Sequence, residues 1–255
     1  MIRVSGLKAS YYEDEILHGV DAEFPEGKIS VIIGPNGCGK STTIRSIVRL
    51  VPDMEGSFTM DGKDLSELSQ AELAKKIAYL PQSRSVPEIT VGKLVMHGRF
   101  PYLSYPRRYR PEDREKVRQA LEWVGMSHLA DRRMDAVSGG QRQMAYLAMA
   151  LAQDTDVILM DEPTTFLDIR NQFEMLDRSR ALADSGKTII MILHDFEAVL
   201  RYADHVVLMG GGRVHAAGTA REVLGSEALK EVFGVEPRFF EAEDGLHCYV
   251  SPEKP

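Results

Sequence analysis

The sequence predicts an α/β fold with a parallel sheet, and two observations support this prediction. First, apolar runs of strand length recur at residues 29–33, 157–160 and 188–193, and stretches with helical spacing separate them. Strands that alternate with helices favour a parallel sheet, because parallel neighbours need a long crossover connection. Second, a glycine-rich loop joins the first apolar run to a helix with one apolar face.

Residues 1–84 are predicted to combine the start of this core with an N-terminal antiparallel β subdomain. Short β-rich runs occupy the region, and Asp61-Gly62 between two of them is a hairpin signal. The glycine loop leads into a helix whose apolar residues follow the i, i+3, i+4, i+7 spacing. These residues are Ile44, Ile47, Val48 and Val51.

Residues 85–153 are predicted to form an inserted helical subdomain. Pro111, followed by two acidic residues, marks a helix start, and Gly125 marks the end of that helix. Residues 154–218 return to alternating strands and helices, so they are predicted to complete the α/β core.

Residues 219–255 are predicted to be a short C-terminal tail. The tail contains a capping box at Thr219 and Glu222 and a hairpin signal at Asp244-Gly245. These 37 residues are too few for a separate regulatory domain.

Composition indicates one ordinary globular unit over residues 1–255. The chain is 44% hydrophobic and 27% charged, and no linker-like stretch or internal repeat interrupts it. Its apolar runs are too short to cross a bilayer and its N-terminus lacks an export signal, so we expect a cytosolic protein. The two cysteines, Cys38 and Cys248, suit a reducing compartment. The formal net charge of -7 argues against a general nucleic-acid binder.

The glycine loop matches the phosphate-binding pattern G-x-x-x-x-G-K-[ST]. Its residues are Gly34, Pro35, Asn36, Gly37, Cys38, Gly39, Lys40 and Ser41, and Thr42 follows them. Glycines let backbone N–H groups surround phosphate oxygens, and a helix N-terminus adds partial positive charge there. Lys40 would contact the β- and γ-phosphates of a nucleotide, and the Ser41 hydroxyl would bind Mg²⁺. An adduct on Cys38 would block the nucleotide, so we expect thiol sensitivity there; the alternative is a small apolar side chain that only fills the loop.

The apolar run 157–160 ends in two acidic residues, Asp161 and Glu162. Successive side chains of a strand point to opposite sides, so the pair can serve two roles. Asp161 is expected to hold Mg²⁺, and Glu162 is expected to be the general base that polarises the attacking water. Two solvated carboxylates are the alternative, which the nearby phosphate-binding pattern disfavours.

A further string, Val137-Ser138-Gly139-Gly140-Gln141, distinguishes among nucleotide-binding proteins. It resembles the signature sequence of ABC ATPases, with Val137 where leucine is commoner, and it lies between the phosphate loop and the acidic strand as in that family. These residues begin a helix predicted over 141–153, so a helix dipole and exposed amides would face a phosphate. The resemblance implies an ABC ATPase cassette with a P-loop NTPase core that binds and hydrolyses ATP.

The resemblance covers essentially the whole chain and implies further site residues. Tyr11 matches the aromatic residue that stacks on adenine, with Tyr12 as a rival. Gln82 matches the glutamine that contacts Mg²⁺ and the attacking water. Asp168 matches the aspartate of the D-loop, the segment after the acidic pair. His194 matches the histidine that contacts the γ-phosphate.

The resemblance also implies a second cassette as partner. In ABC ATPases two cassettes meet head to tail, and the signature of one covers the ATP bound to the other. This chain carries one phosphate loop and one signature, so it needs a partner, expected to be an identical chain. Met144 stands where the family usually has arginine, which puts a local ion pair in doubt.

Residues 95–110 mix aromatic and arginine side chains, a composition that suits a protein interface. The family implies docking of a membrane permease there, with Phe100 and Tyr102 as buried anchors and the arginines at the rim. A plain surface loop and a nucleic-acid surface are the alternatives, and the acidic net charge disfavours the latter.

The same stretch, with residues 128–132 and 151–169, resembles ferric siderophore import ATPases. Haem and cobalamin importer ATPases are close relatives, and a soluble ABC ATPase outside transport is the alternative. The import interpretation implies a peripheral subunit on the cytoplasmic side of the cell membrane, served indirectly by a substrate-binding protein.

Overall fold

The computed structural model describes residues 1–12, 14–82, 86–243 and 245–252. The strands among them are β1 (Ile2–Tyr11), β2 (Asp14–Phe24), β3 (Ile29–Ile33), β4 (Asp53–Met60), β5 (Lys63–Asp64), β6 (Ile77–Leu80), β7 (Val157–Met160), β8 (Thr188–Ile192), β9 (His205–Gly210), β10 (Arg213–Gly218), β11 (Val235–Ala242) and β12 (Gly245–Pro252). The α-helices among them are α1 (Lys40–Ile47), α2 (Gln70–Ala74), α3 (Val91–Met96), α4 (Pro111–Trp123), α5 (Gly139–Ala152), α6 (Ile169–Asp184), α7 (Phe196–Tyr202), α8 (Ala220–Leu224) and α9 (Glu227–Phe233).

The chain divides into two compact units, Met1–Glu67 with Leu182–Pro255 and Leu68–Ala181. In the first unit, β2, β1, β4 and β5 form an antiparallel sheet in that order. Asp61 and Gly62 connect β4 to β5 with positive φ angles of 53° and 77°, as a tight hairpin turn requires. The predicted antiparallel β subdomain and its hairpin are therefore confirmed.

A second sheet of the first unit positions the phosphate loop. Strand β3 pairs in parallel with β8 on one side and β9 on the other. All residues of β3 and β8 are buried, which explains their largely apolar sequences. The antiparallel edge strand β10 was not predicted, because its alternation of exposed and half-buried residues includes alanine and glycine, which favour strands weakly.

In the second unit, β6 and β7 pair in parallel, and helices α3, α4 and α5 pack on one another. Helix α4 begins at Pro111 as predicted, and Gly125 follows its end with a φ of 74°. The buried face of α4 includes Val117 and Leu121. No helix among the described residues is long and apolar enough to cross a membrane.

A buried ion pair lies between the 97–102 segment and α4. The Arg99 Nε atom is 2.9 Å from Oδ1 of Asp113, and both side chains are buried. Arg99 also donates from Nη1 to the Ala152 carbonyl, and its guanidinium lies 3.8 Å from the centre of the Tyr102 ring. The prediction that the arginines of 95–110 form an exposed rim is thus wrong for Arg99, whose charge is taken up inside this unit.

The region after Gly218 is folded more extensively than a tail. The capping box of Thr219 and Glu222 begins α8 as predicted. Strands β11 and β12 pair antiparallel from Val235 with Pro252 to Ala242 with Gly245. Asp244 of the predicted hairpin signal lies outside the described residues, while the strands on either side of it have the pairing that the signal predicts.

Candidate functional site

The phosphate loop of the first unit leaves β3 at Ile33 and enters α1 at Lys40. Glycine is favoured at two of its positions, by a close backbone contact at Gly34 and by backbone conformation at Gly39. A Cβ atom on Gly34 would lie 2.3 Å from the Met209 carbonyl oxygen, and one on Gly39 would lie 2.4 Å from Cδ2 of Leu17. Gly39 also has a φ of 99°, which favours glycine. Packing and backbone conformation therefore account for the glycines at positions 34 and 39.

The N-terminal end of α1 is suited to an anion. Gly39 caps the helix without a side chain, and the first turn contains no acidic residue. The positive end of the helix dipole therefore faces the loop without a carboxylate to neutralise it. Lys40 is 5% exposed, and its Nζ donates hydrogen bonds of 2.9 Å to the carbonyl oxygens of Gly34 and Pro35.

The other predicted site residues of the first unit lie at the start of α1, at the end of β1 and after β8. Ser41 is half-buried and Thr42 is buried at the start of α1. Tyr11 is the last residue of β1 and is half-buried, whereas Tyr12 is 96% exposed with a φ of 57°. His194 is exposed and lies between the end of β8 and the start of α7.

In the second unit, strand register brings Gln82 and the acidic pair together. Leu80 is opposite Met160 in the parallel pair of β6 and β7, so the residues that follow leave the same edge. Gln82 donates from Nε2 to Oε2 of Glu162 at 2.5 Å. These two side chains, predicted from separate stretches of sequence, are therefore in direct contact.

Asp161 and Glu162 have different surroundings. Asp161 is fully buried and accepts a hydrogen bond of 3.2 Å from the Tyr79 hydroxyl. Glu162 is half-buried, and its φ of 50° places it in the left-handed region that non-glycine residues rarely adopt. The Thr165 hydroxyl donates to the same Oε2 atom that Gln82 contacts, at 3.0 Å. Sequence reasoning missed Tyr79, because its contact with Asp161 depends on the register of β6 on β7. Thr165 was matched to the D-loop together with Asp168, but its hydrogen bond to Glu162 was not foreseen.

The signature residues form the start of α5. The Ser138 hydroxyl accepts from the Gln141 backbone N–H, and Gln141 Oε1 accepts from the Ser138 backbone N–H, which is a capping box. The helix therefore begins at Gly139, two residues before the predicted start at Gln141. Ser138 and Gly139 are exposed, as a contact with a ligand or partner requires.

Gly140 connects the signature to the D-loop. It is buried, and a Cβ atom there would lie 2.6 Å from Cγ and Oδ1 of Asn171. The backbone and side-chain nitrogens of Asn171 each donate to the Asp168 carboxylate at 2.8 Å. Asp168 therefore fixes the start of α6 against α5, and Asn171 is a residue that the sequence did not single out.

Cys38 is 5% exposed in the phosphate loop. Burial raises the pKa of its thiol, while the charge and backbone N–H of Lys40 act in the opposite direction. Thiolate is the reactive form, so burial and the raised pKa both oppose the thiol sensitivity expected from the sequence.

We therefore expect maleimide at pH 7 to label native Cys38 at least about tenfold more slowly than Cys38 of the urea-unfolded chain. Mass spectrometry of the peptide that contains Cys38 measures this rate separately from that of Cys248. Equal rates in the native and unfolded chains would contradict the burial of the thiol.

Comparison with known proteins identifies the family. A model of the ABC transporter family matches residues 17–165, which include the phosphate loop, the signature and the acidic pair. The chain belongs to the ABC transporter family. As an ABC ATPase it binds ATP and hydrolyses it.

This ABC ATPase is 45% identical over 234 residues to the achromobactin transport ATP-binding protein of Dickeya dadantii, covering 91% of this chain and 87% of that protein. It is 38% identical to the ferric enterobactin transport ATP-binding protein of Escherichia coli, covering 92% of this chain and 87% of that protein.

Solved structures agree with this family. A chain of an inward-facing metal-chelate type ABC transporter matches with a TM-score of 0.85 at 26% identity, covering 99% of this chain and 97% of the other. A dimeric ATP-binding cassette with bound ADP and phosphate, in a post-hydrolysis state, matches with a TM-score of 0.74 at 26% identity, covering 87% and 100% respectively.

Proposed function

We propose that this ABC ATPase powers the import of a ferric siderophore through a membrane permease, from the cytoplasmic side of the cell membrane. The observation that carries the proposal is its similarity, over nine tenths of the chain, to ATP-binding proteins named for achromobactin, ferric enterobactin and iron(3+)-hydroxamate transport. The cargo assignment rests on this similarity, because the ATPase subunit hydrolyses ATP and does not itself contact the cargo.

In the proposed reaction Lys40 binds the β- and γ-phosphates, and Glu162 accepts a proton from the attacking water. The contact between Gln82 and Glu162 supports a joint role in orienting that water. His194 stabilises the charge that develops on the transferring phosphoryl group. Tyr11 stacks on the adenine.

Mg²⁺ is the proposed metal, with Ser41, Gln82 and Asp161 as the residues that hold it. In nucleotide sites Mg²⁺ commonly has one or two carboxylate ligands, with phosphate oxygens and water supplying the rest. The buried Asp161 carboxylate fits this pattern. No group of three or more His, Cys, Asp or Glu side chains among the described residues is placed to hold a metal. The bound ion would neutralise phosphate charge.

The functional unit is proposed to be a head-to-tail homodimer in which the signature, residues 137–141, covers the ATP of the other subunit. The exposure of Ser138 and Gly139 at the start of a 14-residue helix supports this role, because backbone N–H groups there suit a γ-phosphate. Asp168 is also exposed, and Asn171, which donates a hydrogen bond to it, lies against Gly140 of the signature.

The permease is proposed to dock on α3 and the segment after it, near Phe100. Phe100 is 47% exposed, stacks on His97 at 4.9 Å between ring centres and lies 6.3 Å from the Tyr109 ring. Tyr109 also lines a groove of about 530 Å³ together with Met96, and the groove is mainly apolar. An exposed aromatic beside an apolar groove suits a protein partner.

Tyr102, which the sequence suggested as a second anchor, is not proposed as one. Its hydroxyl donates to the Gln153 carbonyl at 2.9 Å, and Arg99 covers its ring. The Tyr102 ring therefore packs within the second unit, and Phe100 is the proposed anchor.

The function is tested by uptake of radiolabelled ferric siderophore in an iron-limited strain that lacks this gene and any second cassette for the same cargo. We expect uptake to be lost in that strain and restored by the parent chain. Phe100→Ala should restore it poorly and co-purify with less permease, because the loss of an interface anchor typically weakens binding by about 2 kcal/mol.

Arg108→Ala, an exposed change in the same stretch, is the matched control and should restore uptake more fully than Phe100→Ala. Parental uptake of ferric siderophore in the deletion strain would contradict the cargo. Loss of haem or cobalamin uptake instead would assign one of those cargoes, and no permease in membrane pull-downs would favour an ABC ATPase outside transport.

A further inference from the structure

The C-terminal hairpin, formed by β11 and β12, is joined to the first turn of α7 through one carboxylate. Oε1 of Glu197 lies 2.6 Å from Nδ1 of His247, and Oε2 of Glu197 accepts a hydrogen bond of 3.0 Å from the Cys248 backbone N–H. Both oxygens of a single side chain in α7 are therefore bound by consecutive residues of β12.

This contact satisfies a polar group that the hairpin cannot pair by itself. In a two-stranded sheet each strand has an outer edge whose N–H groups need partners outside the sheet. The Cys248 side chain is buried, and the Cys248 N–H finds its acceptor in Glu197. Loss of the Glu197 carboxylate would leave this donor without its present partner in a partly buried place, which costs more than the loss of a surface contact.

A second contact holds the same turn of α7. The Phe196 ring packs edge to face against Phe233 of α9, with 5.2 Å between ring centres. Phe233 of α9 and residues 247 and 248 of β12 thus contact two consecutive residues, Phe196 and Glu197, at the start of α7. The region predicted as a tail therefore supports α7.

The first turn of α7 begins two residues after His194. Strand β8 ends at Ile192 and α7 begins at Phe196, so only residues 193–195 connect them. Asp195 caps α7 by accepting a hydrogen bond of 2.9 Å from the Glu197 backbone N–H. The position of His194 is therefore set by buried β8 on one side and by the first turn of α7 on the other.

We propose that Glu197 is a positioning residue for ATP hydrolysis: through it the C-terminal hairpin holds the first turn of α7 and thereby fixes His194. This inference rests on the proposed role of His194 at the γ-phosphate. A small displacement of a group that stabilises the transition state lowers kcat strongly, whereas ATP binding at the phosphate loop does not depend on that group.

The first experiment compares Glu197→Ala with Glu241→Ala, which removes the same charge from an exposed position of the hairpin. We expect Glu197→Ala to lower kcat about tenfold with KM for ATP changed less than about twofold, and Glu241→Ala to keep both near the parental values. Glu197→Gln should restore most of kcat, because its amide oxygen can accept from Cys248 N–H and its NH₂ group can donate to a neutral His247 ring.

The second experiment observes His194 directly by NMR of ¹⁵N-histidine-labelled full-length chain. The chain has seven histidines, and the spectrum of His194→Ala assigns the signal of His194. We expect this signal to move in Glu197→Ala and to stay in place in Glu241→Ala. An unchanged His194 signal in Glu197→Ala would overturn the inference, whatever the kinetics show.

The kinetic results separate the two levels of the argument. A His194→Ala variant with parental kcat would contradict the proposed role of His194, while the NMR comparison would still test the support by the hairpin. An equal loss of kcat in Glu197→Ala and Glu197→Gln would overturn the hydrogen-bonding role of Glu197.

Discussion

A Glu162→Gln variant is expected to hydrolyse ATP about 10² to 10⁴ times more slowly than the parent and still to bind ATP. Glutamine has the size of glutamate and can keep the contacts with Gln82 and Thr165 through its amide oxygen, but it cannot take a proton from water. The left-handed backbone at position 162 is unchanged, because the two residues have the same branching. Phosphate release in the presence of Mg²⁺ measures hydrolysis, and a fluorescent ATP analogue measures binding.

Slow hydrolysis should also reveal the proposed homodimer. With ATP, the Glu162→Gln protein is expected to elute as a dimer in gel filtration, because each signature gains a phosphate partner only across the interface. Adding Ser138→Arg should return it to a monomer by placing a bulky side chain against the phosphate. Glu112→Gln, the same chemical change at an exposed position of α4, is the control for hydrolysis and should be active.

Two results would contradict this assignment. Parental phosphate release by Glu162→Gln would show that Glu162 is not the base. A Glu162→Gln protein that stays monomeric with ATP at high concentration would contradict the ATP-dependent dimer and would leave the role of Glu162 in hydrolysis to the rate measurement alone.

The features that the sequence predicted are those with local causes. Residues 29–33 form a buried strand because four of the five are apolar, and the glycines after them permit the turn into α1. Pro111 and Gly125 limit α4 through their own backbone preferences, and the Asp61-Gly62 turn follows from its positive φ angles. Each of these depends on residues close together in the chain.

The features that the sequence did not predict depend on contacts between distant residues. The hydrogen bond from Tyr79 to Asp161 requires the register of β6 on β7, and the close approach of Gly140 to Asn171 requires the packing of α5 against α6. The contacts of Glu197 with β12 join residues about 50 positions apart. A one-residue change of strand register would turn the side chains of that strand to the other face, so single-residue patterns cannot specify these partners.

The composition of residues 95–110 also led to a wrong prediction for one arginine, Arg99, which is buried. The arginines of residues 95–110 look alike in sequence, yet Arg99 is 6% exposed while Arg107 and Arg108 are exposed. The difference is the partner: Asp113 lies in the first turn of α4 and accepts from Arg99 at 2.9 Å. A buried guanidinium with a carboxylate and a carbonyl as acceptors is part of the core, so its role can be tested by stability.

Arg99→Ala is expected to lower the free energy of unfolding by about 3 to 5 kcal/mol, because it leaves the buried Asp113 carboxylate without its cation. It also removes the donor to the Ala152 carbonyl and the cover of the Tyr102 ring. Arg108→Ala, an exposed change nine residues away, should alter stability by less than about 0.5 kcal/mol. Urea denaturation of both variants and the parent provides the comparison.

The pH dependence of the free energy of unfolding provides a second, independent test of this prediction. Burial acts to raise the pKa of Asp113, but hydrogen bonds from the Arg110 backbone and from Arg99, with the charge of Arg99, outweigh it and hold the pKa below its usual value. A carboxyl whose pKa is lowered by folding adds stability that is present above its unfolded pKa, near 4, and is lost as pH falls through the folded pKa. The stability difference between parent and Arg99→Ala should therefore be largest at neutral pH and become smaller below about pH 4.

A double variant with Asp113→Asn should recover part of the loss at neutral pH, since no buried charge is then left unpaired. If Arg99→Ala were no less stable than Arg108→Ala at pH 7, the pair of Arg99 and Asp113 would not stabilise the packing of α4.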